Sequence, residues 1–424
     1  MSAKKKSESS ETDRIKCHWV SNTHWDREWQ MSFQRTRFEL VKMMDMLLDI
    51  LEKEPRYKYL CLDSQTVPLQ DYLEVRPEKE ETIRSFVREG RLVVGPWYTL
   101  PEQNCASGES LIRNLLLGHR IAREFGEVAK TGYSPFSWGH ISQMPQIYNG
   151  FGIDFMAFYR GVNSRVAPKA EFIWEAPDGS RVIGSRLGAR PRYNAWYLIH
   201  YPVLLDAEDP DDRNTSWSAG NGPFRFVDAE KAEFYYQYLH PEYAYHGERI
   251  REGAERAMRE QDEDWRTRHR FWANGHDLST PDIREADMIA DCDKVLGGLA
   301  DVFHSTFADF QAGVKKELRD DLPVARGEMR HYMMKGDKFG YMGSLVGSTR
   351  ARLKQDNFRT ERAISAYAEP LAVFAAFLGA GYQRSFVDTA YRWLLENHGH
   401  DSLGGCHRDA VSADIDFRLR QTRE

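Results

Sequence analysis

The sequence predicts an α/β fold built on a parallel sheet, followed by a small helical bundle. Three observations carry this. Short β-rich runs alternate with helical patterns over most of the chain, which implies βαβ units. The polar residues of chemical interest fall just after those runs, where such sheets place their sites. From about residue 323 the apolar spacing becomes helical.

Residues 1–14 read as a disordered tail and IKCHWVS (15–21) as the first strand. Leu40, Val41, Met44, Leu47, Leu48 and Leu51 recur at helical spacing. YKYLCLD (57–63) and RLVVGPWY (91–98) read as strands, with a helix between them to about Val87 and another from Leu111 to Phe125. FMAFYRG (155–161) and HRFWANG (269–275) read as further strands. The region of about 190–245, rich in Tyr, Asp, Pro and Asn, reads as an insertion near the site mouth. The first domain thus covers 15–322 and a helical domain 323–424. The helical domain has one helix around Ala363–Leu378, kinked or broken at Pro370, and others at Phe386–Leu395 and Ala410–Leu419.

A chain of 424 residues with 41% hydrophobic and 29% charged residues matches an ordinary globular protein with a large core. The net charge of −6 argues against nucleic acid or an anionic membrane as partner. The 11 tryptophans suit either sugar stacking or core filling. Five separated cysteines without a CxxC pair fit a reduced, cytoplasmic protein. The polar start MSAKKKSESSETDR lacks the apolar run of a signal peptide, and no stretch is long enough to span a membrane.

In THWDREW (23–29), His24 and Asp26 stand two apart at a strand end, so both side chains can point one way. Together they fit two zinc ligands, or a surface His beside a helix-capping Asp; a zinc site needs at least a third ligand. ENHGHDSLGGC (396–406) offers His398 and His400 after a helix. Alone these fit a helix end with solvated imidazoles; with the first motif they complete a site drawn from both ends of the chain.

Several long matches run in order from Cys17 onward: THWDREW, LDSQTVPLQDYLE (62–74), GPWYTLPEQNCASGESLIRNLLLG (95–118), GHISQMPQIYNGFGID (139–154), FIWEAPDGSRV (172–182), LKQDNFRTERAISAYAEPL (353–371) and HDSLGGCHRDAV (400–411). By these the chain resembles the glycoside hydrolase family 38 α-mannosidases, especially the bacterial branch. The resemblance implies a seven-stranded parallel β/α barrel followed by a three-helix domain, the front portion of a usual member, without its large β-domains. It implies a retaining exo-α-mannosidase fold with one zinc, acting on terminal α-mannosyl residues of oligosaccharides or glycosides. His24, Asp26 and His400 match zinc ligands, and Trp29 the ring on which the sugar stacks. Asp277, in NGHD, matches a hydroxyl-binding Asp, and Arg160, in FYRG, an Arg beside the catalytic carboxylate. His398 has no family role and reads as a solvated loop residue. A homo-oligomer stays open.

The resemblance also exposes a departure. The bacterial branch usually has Gly-Tyr-x-Pro-Asp-Ser-Phe-Gly-His, whereas GYSPFSWGH (132–140) carries Phe136 where the family Asp is both nucleophile and fourth zinc ligand. Asn22 stands where many members have a further His. A retaining glycosidase needs two carboxyl groups about 5–5.5 Å apart, and Phe136 supplies none. Asp63, Glu102 and Asp277 are the carboxylates after strands that are candidates to substitute; a strand-end turn, a loop lining and hydroxyl binding are their other readings. Asp337, in MMKGDKFGYMG, lies about where the family supplies its general acid, and also reads as a solvated loop Asp. The expectation is a zinc-dependent α-mannoside hydrolase. Its rivals are a catalytically silent sugar-binding homologue and a truncated product.

Overall fold

The computed structural model describes residues 14–188, 193–205, 225–228, 233–236, 244–261, 264–332 and 346–424. The predicted tail, much of the predicted insertion and Asp337 lie outside the described residues. At the centre runs Ile15–Ser21, the strand read from sequence to the residue. Its side chains bury on both faces, because it lies parallel between His269–Asn274 and Ala300–His304. Leu60–Cys61 and Leu92–Val93 form a second parallel pair, joined to the first sheet where Asn22 bridges Cys61. A five-stranded sheet runs Val324–Arg326, Glu171–Glu175, Arg181–Ser185, Phe155–Ala157, Gly132–Tyr133. Within it only Glu171–Glu175 and Arg181–Ser185 pair antiparallel, as a hairpin. Among the described residues the pairing is mainly parallel but divided over four sheets, and it does not trace one ring of seven strands.

Two predicted strands shrink to two residues each, because their ends turn into site loops. After Cys61 the backbone enters the left-handed region at Asp63 (φ 44°) and Ser64 (φ 57°). Side chains seldom adopt that conformation, and it concentrates at functional sites. After His269–Asn274, Gly275 has φ 129° and a Cβ there would sit 1.6 Å from the Asn22 carbonyl oxygen. Only glycine lets the 275–277 segment approach the end of Ile15–Ser21 this closely.

Helices cover the sheets through one apolar face each, as in Phe33–Lys53, which buries Leu40, Met44, Leu47, Leu48 and Leu51. In the C-terminal part, Ala351–Arg362, Arg384–Glu396 and Asp409–Arg423 pack around Leu353, Tyr391, Leu394, Val411, Ile415 and Leu419. The helix does not break at Pro370. It widens into a π-helical stretch, Ala363–Ala368, just before Glu369–Phe377, which accommodates the missing N–H and the ring.

The helical part docks through buried charges. Glu28 accepts from Ser402 Oγ at 2.8 Å and pairs with Arg418, whose Nε also donates to Asn397 Oδ1. Arg27 makes a two-pronged contact with Asp71 at 2.8 and 3.0 Å and reaches Glu396 at 3.4 Å. The THWDREW segment is therefore clamped to the last two long helices. Arg418→Ala leaves Glu28 buried without its partner. The expected loss is about 3–5 kcal/mol in unfolding free energy, read from denaturant titration. A loss within the range of surface substitutions would contradict the clamp.

Candidate metal centre

The site is assembled by backbone pairing between distant segments. His24 N–H donates to the His276 carbonyl at 3.1 Å, and Leu278 N–H to the His24 carbonyl at 2.7 Å. This sets Asp277 beside His24. On the other side, Glu102 N–H donates to the His398 carbonyl at 2.9 Å, and His400 N–H to the Leu100 carbonyl at 3.0 Å. This short antiparallel ribbon, centred on Pro101 and Gly399, carries His400 to the end of the first strand.

His24, Asp26 and His400 are all buried, and their ligand atoms lie within 4.8 Å of one another. His24 Nε2 is 2.8 Å and His400 Nε2 3.5 Å from Asp26 Oδ1. The contact with His24 is an ion pair, and it leaves Asp26 Oδ1, sealed from solvent, short of good hydrogen-bond geometry. A buried carboxylate oxygen held this way costs stability, and two imidazole nitrogens converging on it also make a ligand set. Two histidine nitrogens and a carboxylate oxygen suit zinc and similar divalent ions. The residues present therefore fit a metal.

Asp63 closes the back of this arrangement. Its Oδ2 accepts from His24 Nδ1 at 2.9 Å, from Trp25 N–H at 2.8 Å and from Gln65 Nε2 at 2.9 Å. That fixes the His24 ring and aims Nε2 at the centre, the arrangement of a carboxylate–histidine–metal relay. Burial works against charge on His24, but Asp26 and Asp63 outweigh it and push its pKa up to about 10 with no ion bound. Burial disfavours the charged form of Asp26 too, yet His24 and His400 hold its pKa below the ordinary value.

Phe136 lies against the ligands. It is buried and stacks on His24 with ring centroids 3.4 Å apart and planes at 22°, and it faces His400 at 5.9 Å. Arg160 donates to the Phe136 carbonyl oxygen and lies 4.2 Å over the Trp138 ring. The position is filled by an aromatic wall.

The other carboxylates take distinct places. Glu102 is sealed beneath the same loop, accepting from Trp138 N–H at 2.8 Å and from Asn104 Nδ2 at 3.1 Å. Burial raises its pKa to about 7, against the opposing pull of those donors. Asp277 is half-buried and accepts from the Tyr193 hydroxyl. Asp401, beside His400, has Oδ2 3.6 Å from His400 Nε2 and Oδ1 2.8 Å from Cys406 Sγ. Burial, reinforced by Asp26, pushes its pKa well above the carboxylate range. Trp29 is half-buried, with Nε1 donating to the Cys406 carbonyl at 2.8 Å.

His398 corrects the sequence reading. It is fully buried rather than solvated, with Nε2 3.0 Å from Asn357 Oδ1 and 3.6 Å from Glu361. Sequence reasoning also missed Tyr193, whose left-handed backbone (φ 57°) and contact with Asp277 carried no local signal, and Asp401, which is visible only as the neighbour of His400.

Comparisons with known proteins show the family to which the chain belongs. Residues 14–328 match the model of the glycosyl hydrolases family 38 N-terminal domain. The chain is 32% identical over 420 residues to the "Putative mannosylglycerate hydrolase" of Halalkalibacterium halodurans, covering 95% of this chain and 41% of that protein. It is 30% identical over 173 residues to human alpha-mannosidase 2C1, covering 39% of this chain and 16% of the relative. Among solved structures, an alpha-mannosidase from Enterococcus faecalis V583 superposes with a TM-score of 0.76 at 28% identity, covering 97% of this chain and 41% of that one. The chain thus spans about two fifths of the length of its first curated relative.

Glu102 gives a pH test. Its folded pKa, about 7, lies above the ordinary value of 4.5, so the native state binds this proton more tightly than the unfolded state. The resulting stability is full below about pH 4.5 and is lost as pH rises through 7. Glu102→Gln keeps a neutral group at every pH. Its stability relative to the unchanged chain should rise between pH 5 and pH 8 in urea titrations; a pH-independent difference would contradict the assignment.

Proposed function

Because the chain belongs to glycosyl hydrolase family 38, we propose that it is a divalent-metal-dependent, zinc-type α-mannosidase that removes terminal α-mannosyl residues from glycosides or oligosaccharides. The observation that carries the reading is the convergence of two buried imidazole nitrogens on one sealed Asp26 oxygen, with all three ligand atoms within 4.8 Å of one another. In this reading His24, Asp26 and His400 hold the ion, and Asp63 orients His24. The β/α barrel with a three-helix domain and a cytoplasmic location belong to the same proposal. The first belongs because the chain is similar along its length to a bacterial α-mannosidase. The second follows from its five separated cysteines. Among the described residues no helix is long and apolar enough to cross a membrane.

A bound ion supplies a grip on adjacent sugar hydroxyls and stabilises negative charge developing on oxygen. The chain's own residues do the rest. Trp29 offers a stacking face at the mouth. Phe136 excludes water from one side of the ligands, and it has no atom with which to attack an anomeric carbon. Asp63 is committed to His24, and Glu102 to the Trp138 N–H and the Asn104 amide. Asp277 is the carboxylate, of the three named from sequence, that a substrate can reach. We assign it the sugar hydroxyls and the acceptance of a proton from the attacking water, with the Tyr193 hydroxyl holding its carboxylate. Asp337, which lies outside the described residues, is assigned the general-acid role on the resemblance alone. The name of the relative that matches nearly the whole chain directs the substrate toward small mannosides such as a mannosyl–glycerate linkage.

A second reading, a sugar-binding protein without turnover, is favoured by one observation. Phe136 stacks on a ligand, and Arg160 is bonded to its carbonyl oxygen. Hydrolysis of an aryl α-mannoside, with and without a zinc chelator, decides between them. The primary reading predicts turnover by the unchanged chain that falls at least about tenfold on chelation and about 100-fold or more in Asp277→Asn. Silence in the unchanged chain with activity gained by Phe136→Asp would establish the second reading.

A further inference from the structure

Gln65 stands where the two segments that carry the imidazole ligands meet. It directly follows the left-handed pair Asp63 and Ser64, and its side chain is buried. The amide nitrogen donates to the Trp25 carbonyl at 3.0 Å and to Asp63 Oδ2 at 2.9 Å. The amide oxygen accepts from Leu100 N–H at 3.1 Å. Both N–H donors and the oxygen are thereby engaged. The amide has one tolerable orientation. Turned over, it would set its oxygen against a carbonyl and a carboxylate, and its donors against an N–H.

These bonds end on both ligand segments. On one side Asp63 Oδ2 accepts from His24 Nδ1 at 2.9 Å, and Trp25 lies between His24 and Asp26 in sequence. On the other, the Leu100 carbonyl accepts from His400 N–H at 3.0 Å. The path from one ligand to the other therefore runs through His24, Asp63, Gln65, Leu100 and His400. The backbone at its middle is pinned as well, since Gln65 N–H donates to the Leu62 carbonyl at 3.0 Å. We propose that Gln65 is a positioning residue that sets the separation of the His24 and His400 rings, whose centroids lie 5.0 Å apart. Apolar contacts would hold the two segments near each other without fixing their register, because such contacts are non-directional. Three directed bonds from one side chain fix it. The consequence for the ion rests on the metal reading above: ligands held in place by their outer partners meet a metal without rearranging.

Gln65→Met keeps the volume of the side chain and removes all three bonds. Two measurements test the proposal: amide hydrogen exchange of the zinc-free chain, and zinc affinity by competition with a chromophoric chelator. His400 N–H should exchange at least about tenfold faster in the variant. Val302 N–H, which donates to Asp293 in the strand Ala300–His304, should be unchanged. Zinc affinity should fall about 10–100-fold. Faster exchange at both amides alike would mean a loss of overall stability alone and would overturn the proposal. Exchange unchanged at His400, or quickened there with zinc affinity held, would overturn it too. If the unchanged chain binds no zinc, the metal reading falls, and the exchange result still decides whether Gln65 ties the two segments. Should Gln65→Met misfold, Gln65→Glu, which exchanges the N–H donors for an oxygen, decides in the same way.

Discussion

The rest of the site depends on the backbone pairing of 398–400 with 100–102. It joins chain ends far apart in sequence. Without it His400 would not stand beside Asp26, and the first strand would present a two-residue motif with nothing to complete it. Closing so long a loop carries an entropic cost that two hydrogen bonds do not offset. The buried contacts of Glu28 with Arg418 and Ser402 and of Arg27 with Glu396 offset part of it, with the apolar packing beneath them. The same residues that fold the helical part onto the sheets therefore place the third ligand.

Concentrating charge there has a consequence. Asp26, Asp63 and Asp401 are all sealed from solvent around two imidazoles. Low-dielectric surroundings strengthen each attraction and each repulsion. The opposed pKa directions of Asp26 and Asp401 express that crowding. A divalent cation at the point where the ligand atoms converge would relieve it. Phe136 deepens the dryness by laying an apolar face on His24, where the resemblance places a carboxylate. By that resemblance Phe136 keeps the wall of the site intact where a carboxylate would stand, so the candidate metal centre and the chemistry are separable questions.

Much of this was legible in the sequence, unevenly and for physical reasons. The strand Ile15–Ser21 was readable because both its faces are buried and the apolar run is continuous. The neighbouring strands were read too long, because Asp63, Ser64 and Gly275 turn the chain through left-handed conformations that leave little mark on β-propensity. His24 and Asp26 declared themselves by spacing. His398 and His400 were both candidates to complete the pair, and only the family resemblance singled out His400, since long-range pairing has no local signature. His398 misled because a Gly-flanked histidine after a helix looks solvated, whereas Asn357 and Glu361 enclose it from a different helix. Tyr193 and its contact with Asp277 arise from tertiary packing alone. The sequence suggests a kink or break at Pro370, whereas the helix runs on, widened into a π-helical stretch just before the proline.

The most direct test of the central claim is X-ray absorption at the zinc edge of the purified chain after loading with one equivalent of zinc. The account predicts one tightly held ion with two imidazole nitrogens at about 2.0–2.1 Å and light oxygen ligands completing the shell. It also predicts that one imidazole signature disappears in His400→Ala. No retained zinc, or a two-imidazole spectrum unchanged by that substitution, would contradict a centre built from His24, Asp26 and His400.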